Sequence, residues 1–475
     1  MKLIEAAVSL EGSAYSLGVV QGAVDIEEPG RVSAETEQPS RLIHILGSRG
    51  DQSGDSSKIV LQHREALVYT LGKAAALEHL VMCQYLYAAF SMKDREDEGL
   101  PEAQLAAVRR WRKELIHIGQ QEMLHLALVQ NLLTSVGAAP YLGRPNFPLP
   151  RHAYPAGIQM SLLPFGETSL RHFAFLERPA DVEVADAEMF AALDKAAPLP
   201  GVHEDDIGPQ MQDFATIGHM YRAIEDGLGH LAERLGEKTL FLGPAAAQAT
   251  GEHFRWDELV PVTDLASARR AIDTIVEQGE GARGDWHDAH FGRLVTILDE
   301  YLAIRAEDPG FEPARPVLMA CVRMPEDGSD VPIISDPFTS RCTDLLNAVN
   351  EVLLQLLARY FAHTDETEEQ LEVLANLAVG LMFTAIKPLG SLVTRLPIGP
   401  DHPGSTAGPS FELFYAVDYL LPHREAAWLV IEERMRDIAE LATRCRDACA
   451  PLYMAPLIKV TDALRASADR LAAAR

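Results

Sequence analysis

Apolar residues recur at helical spacing in four long stretches of the first two thirds of the chain. Apolar side chains three and four positions apart lie on one face of a helix, so each stretch predicts a helix with one buried face. The predicted helices cover residues 61–93, 101–136, 210–236 and 285–307, with a shorter one at 267–278. Together they predict a mainly α fold built on a four-helix bundle, with a long proline-rich crossover at 138–205.

The two ends of the chain differ from this helical part. Residues 1–60 contain short β-prone runs between glycines and serines, which predict an extended or β-rich segment. Residues 308–340 are rich in proline and predict a linker, and residues 341–475 predict a second helical domain. With the bundle at 61–307 this gives four parts, because 475 residues exceed what one hydrophobic core usually organises.

Each helix of the predicted bundle carries an ionisable side chain within its apolar face. These are Glu78 on the first helix, Glu122 and His125 in a Glu-x-x-His motif on the second, Glu225 on the third and His290 on the fourth. A buried carboxylate is costly unless it is paired or binds a metal. Inward glutamates and Glu-x-x-His motifs are the ligands of helical bundles that hold two metal ions. The set predicts two divalent ions, with iron preferred and manganese the alternative, because both accept carboxylate and imidazole ligands.

The fourth helix departs from that ligand pattern. His287, and not a glutamate, stands three residues before His290. We expect Glu280, which Gly281 separates from this helix, to turn inward as the sixth ligand. The other candidates are Glu277, Asp285 and Asp288.

Other polar and aromatic residues near these positions have simpler explanations. Glu114 and His117 form a second Glu-x-x-His motif, but they lie about two turns before the first one along the same helix. They are therefore interpreted as surface or supporting residues. Four aromatic residues fall near the site by spacing and are interpreted as core packing in preference to a radical relay: Tyr85, Tyr87, Tyr221 and Trp286.

Charge and cysteine content narrow the partners and the compartment. The net charge of −27 at pH 7 disfavours binding to nucleic acid and to anionic membranes. No uncharged apolar run has the length of about 20 residues that a membrane helix needs. The five cysteines contain no Cys-x-x-Cys pair, which favours a reducing, cytoplasmic location.

Four segments resemble a known family: LEHLVMCQYLYAAFSMK, EMLHLALVQNLLTSVGAAPYLGRPNFPLP, IGHMYRAIEDGL and IVEQGEG. They are similar to the ferritin-like domain family associated with iminophenyl-pyruvate dimer synthases, which act in violacein- and rebeccamycin-type pigment biosynthesis. The resemblance covers Ile59 to Arg305. It implies a ferritin-like bundle, a non-haem di-metal site and oxidative chemistry on amino-acid-derived imines. The residues that it carries over as metal ligands are Glu78, Glu122, His125, Glu225, His290 and, less directly, Glu280.

Three functions remain open from the sequence. The first is a di-iron oxidase or oxygenase that uses dioxygen on a small amino-acid-derived substrate in secondary metabolism. The second is a ferritin-like protein that disproportionates peroxide or oxidises ferrous iron without an organic substrate. The third is a metal-binding scaffold without catalysis. A small-molecule substrate and dioxygen are the expected partners of the first, and formation of a homodimer is left open.

Overall fold

The computed structural model describes residues 43–45, 59–150, 153–155, 158, 160–180, 182–184, 208–282, 285–325, 330–414 and 420–475. Most of the predicted N-terminal segment lies outside these ranges, as does the stretch 185–207 of the predicted crossover. The described part is mainly helical, which confirms the predicted fold class.

The described residues of the first half of the fold form six helices of eight or more residues and a small two-stranded sheet. In chain order these elements are β1 (Ile43–Ile45), α1 (Arg64–Ser91), α2 (Glu102–Ser135), α3 (Glu167–Leu176), β2 (Val182–Val184), α4 (Ile217–Leu235), α5 (Leu265–Gly279) and α6 (His290–Glu307). The two strands are antiparallel, with Ile43 opposite Val184. Shorter helical turns lie at Glu96–Glu98, Glu237–Leu240, Ala245–Ala247 and Gly251–Phe254.

Helices α1 and α2 form the most extensive helix pair of the bundle, and α4, α5 and α6 pack around them. Helix α3 packs against α6 and so brings the crossover up to the end of the bundle. The sequence analysis interpreted this stretch as loop because of its prolines and did not predict α3. The four long helices are predicted correctly, although two of them begin later than expected.

The later starts have local causes. Helix α4 begins at Ile217 because Thr216 is in an extended conformation and its hydroxyl accepts a hydrogen bond from the His219 N–H. Helix α6 begins at His290 because the preceding chain folds back over its first turn. A Cβ atom at Gly292 would lie only 2.2 Å from the backbone oxygen of Trp286, so glycine is required there.

The C-terminal region is helical, as the sequence predicts. Its elements are α7 (Pro337–Phe361), α8 (Glu368–Leu381), a π-helical turn (Met382–Ile386), α9 (Lys387–Val393), α10 (Arg424–Ala448), a short turn (Pro451–Tyr453) and α11 (Met454–Ala474). Asp336 begins α7 by accepting hydrogen bonds from two backbone N–H groups, and Pro337 occupies its first position. The last helix, α11, was not among the predicted elements.

One continuous hydrophobic core runs from α1 to α11. The expected linker takes part in it, since Arg315 is buried and pairs with Asp94 and Glu98. The division of the chain into separate domains therefore remains a prediction.

Two helical segments, Arg64–Ser91 and Glu368–Val393, are long and apolar enough to cross a membrane by composition. Their most apolar windows are 61% and 50% buried inside the protein. Core helices of soluble proteins have the same composition, so this is weak support for a membrane span.

Candidate metal centre

Five ionisable side chains from four helices meet inside the bundle. They are Glu78 from α1, Glu122 and His125 from α2, Glu177 at the C-terminal end of α3, and His290 at the first position of α6. None of these side chains is more than 5% exposed. Glu122 belongs to two groups of three residues, each with ligand atoms within 4.8 Å of one another.

Glu122 lies between the two imidazoles. Its Oε2 atom is 2.9 Å from His125 Nδ1, and its Oε1 atom is 3.0 Å from His290 Nδ1. Glu78 Oε2 lies 3.6 Å from the same nitrogen of His125, and Glu177 Oε1 lies 3.7 Å from that of His290. The arrangement gives two half-sites, each with one imidazole and one carboxylate of its own, and Glu122 faces both.

The hydrogen bonds around the imidazoles fit a bound cation. The side-chain oxygen of Gln278 lies 3.1 Å from His125 Nε2 and accepts a hydrogen bond from it. In a neutral ring, Nδ1 then carries no proton, and its lone pair faces carboxylate oxygens. In the part of the chain that the structure describes, neither nitrogen of His290 has a hydrogen-bond partner of good geometry, and neither does Glu122 Oε1. Electron-pair donors that face one another in a buried space need a cation or protons between them.

Without a metal, protons take this place. Burial raises the pKa of Glu78 to about 8. Burial alone would lower the pKa of His125, but the charge of Glu122 and their hydrogen bond outweigh it and raise this pKa to about 10. The pKa of Glu122 is pushed up by burial and is nevertheless lowered, because His290 and His125 hold positive charge beside it. Metal binding would release such protons, as it does at other sites built from imidazoles and carboxylates.

Two tyrosines hold the outer carboxylates in place. The Tyr221 hydroxyl donates a hydrogen bond to Glu78 Oε1, and the Tyr85 hydroxyl donates one to Glu177 Oε1. Burial raises the pKa of both phenols well above the ordinary value, so they remain donors. Their interpretation as core packing was incomplete, because both are buried and both also orient candidate ligands. Tyr87 instead donates to a backbone oxygen, that of Leu318.

The prediction that Glu225 points inward is wrong. Its carboxylate forms ion pairs with Arg222 at 2.8 Å and Arg269 at 3.3 Å, and the side chain is 22% exposed. The inward position of α4 belongs to Tyr221, which is fully buried beside Glu78. Glu225 follows the buried Ile224 by one residue, or about 100° around the helix, and this places it at the edge of the apolar face.

Glu280 lies near the site and outside both groups of ligand atoms. Its Oε1 atom accepts a 2.7 Å hydrogen bond from the Gly218 N–H, and burial raises its pKa to about 7. It lines a chamber of about 20 Å³ together with Glu78, Glu122, His125 and Glu177. Its expected role as a ligand remains a prediction. The alternative candidates Glu277, Asp285 and Asp288 are all exposed.

Glu177 is the candidate ligand that the sequence analysis missed. A signal was present, because Leu170, Phe173 and Ala174 stand seven, four and three positions before it and share its face of α3. The prolines around this stretch hid a helix of only ten residues. Gly279 leaves room for the carboxylate, since a Cβ atom there would lie 3.2 Å from Glu177 Oε2.

The second Glu-x-x-His motif lies apart from the centre. Glu114 pairs with Arg293 at 2.8 Å, and its side chain is 35% exposed. This agrees with its interpretation as a surface residue. The sequence therefore contains a matched control for the buried motif on the same helix.

Residues 71–299, slightly less than half of the chain, match the family model described as Ferritin-like, so this part of the chain is similar to a ferritin-like domain. A dichlorochromopyrrolate synthase from Lentzea aerocolonigenes is 28% identical in an alignment of 419 residues that covers 80% of this chain and 39% of that protein. A 2-imino-3-(indol-3-yl)propanoate dimerase from Chromobacterium violaceum is 29% identical in an alignment of 390 residues that covers 78% of this chain and 36% of that protein. These similarities confirm the resemblance seen in the sequence. The chain spans less than two fifths of the length of either relative.

A crystal structure of a ferritin-like protein from Caulobacter vibrioides is 18% identical and covers 65% of this chain and 94% of its own. Its TM-score is 0.39, and a similarity of this size supports no further conclusion.

Proposed function

We propose that this chain is a non-haem di-iron oxidase or oxygenase that acts on a small amino-acid-derived substrate in secondary metabolism. The observation that carries the proposal is the burial of three carboxylates and two imidazoles in one cluster, with no lysine or arginine paired to any of the five among the described residues. Three negative charges in a closed core need positive charge nearby, and two divalent ions would supply it.

The proposed ligands are Glu78 with His125 for one ion and Glu177 with His290 for the other, with Glu122 shared between them. Manganese is the alternative metal. When bound, two ions of this kind supply reducing equivalents and a binding place for dioxygen or peroxide. The chain's own contribution is to orient the ligand atoms, through hydrogen bonds with Tyr85, Tyr221 and Gln278.

The substrate class rests on the relatives. One is named a dimerase of an imino acid that carries an indole ring, and the other is named a synthase of dichlorochromopyrrolate. A small amino-acid-derived molecule is the corresponding proposal for this chain. A cytoplasmic location is proposed from the five scattered cysteines, and the absence of nucleic-acid and membrane partners from the net charge of −27.

A second candidate function has a specific observation in its favour. Among the described residues, the chamber beside the ligands measures only about 20 Å³, room for one or two water molecules. That space suits peroxide or dioxygen without an organic substrate, as in a ferroxidase or a peroxide-disproportionating protein. An organic substrate would need the rim to open, where the Gly218 N–H and the Thr216 side chain hydrogen-bond to Glu280.

The two functions are separated by reconstitution under anaerobic conditions. Protein loaded with ferrous iron should bind two ions per chain and consume dioxygen when it is admitted. Glu122→Ala should lose both properties, whereas Glu114→Ala, in the exposed motif of the same helix, should keep them. Retention of full metal content by Glu122→Ala would refute the metal centre. Rapid dioxygen release from hydrogen peroxide by the manganese form, with no oxidation of indole-derived or phenyl-derived imino acids by the iron form, would favour the second function.

A further inference from the structure

A second cavity lies between the bundle and the C-terminal helices, away from the candidate metal centre. Helices α1 and α2 form one wall, and α7, α8 and the π-helical turn after α8 form the other. Its volume is about 80 Å³, several times what one water molecule needs. Met123 and Ala127 face it from α2, about 100° and 140° around the helix from Glu122. His125 is displaced by about 60° in the other direction, so the cavity and the metal centre lie on opposite sides of α2.

The walls of this cavity are apolar and rich in aromatic and methionine side chains. Six aromatic residues line it, namely Phe90, Phe254, Trp256, Phe361, Phe383 and Phe411. Methionines come from three different elements, at positions 82, 123 and 382. Methionine adapts its shape to a bound molecule and makes favourable contacts with aromatic rings. The mostly apolar lining fits an aromatic ring. Its polar and charged side chains are His79, Gln120, Gln130, Asn350 and Lys387.

Among the described residues, two buried polar atoms of the lining have no hydrogen-bond partner, one on His79 and one on Asn350. His79 is 1% exposed and Asn350 is 6% exposed, and both line the cavity. The Leu142 carbonyl lies 3.3 Å from His79 Nδ1 and accepts a hydrogen bond from it. In a neutral ring, Nε2 is then an unpaired hydrogen-bond acceptor. Asn350 Nδ2 is an unpaired donor. An unsatisfied buried polar atom is costly, so one acceptor and one donor in an apolar cavity indicate a missing polar partner.

The π-helical turn is a third, independent feature. Met382–Ile386 interrupts the helix formed by α8 and α9, and three of its five residues line the cavity: Met382, Phe383 and Ile386. A π-helical turn stabilises a helix less well than regular turns do, and such turns are frequent at functional sites. Here it widens the helix where the helix borders the cavity.

We propose that this cavity binds a small aromatic molecule bearing one hydroxyl or N–H group. This group donates a hydrogen bond to His79 Nε2. Its heteroatom, or a neighbouring acceptor on the same molecule, accepts a hydrogen bond from Asn350 Nδ2. The site is separate from the metal centre and does not depend on the chemistry proposed there.

The test uses 4-fluorophenol as the probe, with binding followed by fluorine NMR on the full chain prepared without metal. We expect saturable binding, about tenfold weaker for fluorobenzene, which has nearly the same shape and no donor. Asn350→Leu removes the unpaired donor and should weaken 4-fluorophenol about tenfold while leaving fluorobenzene unchanged. Ala127→Phe fills the cavity and should abolish binding of both molecules. Met123→Leu keeps the apolar lining and should leave the affinities within about threefold.

Three results would overturn the proposal. One is the absence of saturable binding, which would mean that the cavity holds only water. Another is equal affinity for 4-fluorophenol and fluorobenzene. The third is a 4-fluorophenol affinity that Asn350→Leu and a folded Ala127→Phe protein both leave unchanged. Because the experiment contains no metal, a failure of the proposed oxidase function would not affect any of these outcomes.

Discussion

Glu177 provides the sharpest test of the candidate centre, because the structure and the ligand pattern of the sequence disagree about it. Its carboxylate accepts a hydrogen bond from the Tyr85 hydroxyl and lies 3.7 Å from His290 Nδ1. Glu225 is the alternative that the helical pattern favours, and its carboxylate instead pairs with two arginines. The pair Glu177→Gln and Glu225→Gln therefore removes one carboxylate in each case, with no change in side-chain size.

The expected magnitudes differ widely. Changes to groups that merely orient a metal ligand cost about 10- to 100-fold in metal affinity. Glu177→Gln removes a proposed ligand itself, so we expect a loss of at least about 100-fold, or about 2.7 kcal/mol, for the ion beside His290. Glu225→Gln should change affinity by less than about threefold, because exposed ion pairs contribute only about 0–1 kcal/mol.

The assay is an anaerobic titration with ferrous iron against a competing chelator, which gives the affinity and the number of ions per chain. Circular dichroism and thermal melting of the metal-free variants check that both remain folded. An unchanged affinity in Glu177→Gln, or a large loss in Glu225→Gln, would refute the assignment made from the structure.

Two further predictions concern the rim of the chamber and the C-terminal helices. A Cβ atom at Gly218 would lie 2.3 Å from the flexible Glu280 carboxylate, so Gly218→Ala should displace that carboxylate at a cost below about 1 kcal/mol. Gly229→Ala, on the same helix with nothing within 4 Å, should stabilise the protein by about 0.5–1 kcal/mol, and equal melting shifts for the two would contradict this. Arg359 forms an ion pair with Glu366 at 2.5 Å. Burial alone would raise the pKa of Glu366, but hydrogen bonds from Arg359 and other groups outweigh it and lower this pKa to about 2. A lowered folded-state pKa stabilises the protein above the ordinary value near 4.5, so Glu366→Gln should cost about 2–3 kcal/mol at pH 7. In urea titrations this difference should shrink as the pH falls from about 5 towards 2, and a pH-independent difference would contradict the mechanism.

The sequence predicts the long helices well because their apolar faces repeat over many turns. It predicts the start of α6 poorly, since the cause is a fold-back of Trp286 over Gly292, which no helical pattern records. The same limit applies to α3, whose ten residues offer fewer than three turns of pattern between prolines.

The candidate site divides along similar lines. Glu78, Glu122 and His125 lie in the middle of long helices, where the apolar pattern fixes their direction. Glu225 lies at the edge of an apolar face, where a rotation of one residue decides between the core and solvent. Glu177 lies at a helix end, and its inward direction comes from the packing of α3 on α6, which is a tertiary contact.

The central claim is that two metal ions lie between Glu78, Glu122, His125, Glu177 and His290. Crystals of iron-reconstituted protein, measured above and below the iron absorption edge, test this claim most directly. We predict two anomalous peaks within the cluster, with Glu122 ligating both ions and Glu225 ligating neither. A map without peaks there, or with an ion held by Glu225, would contradict the account.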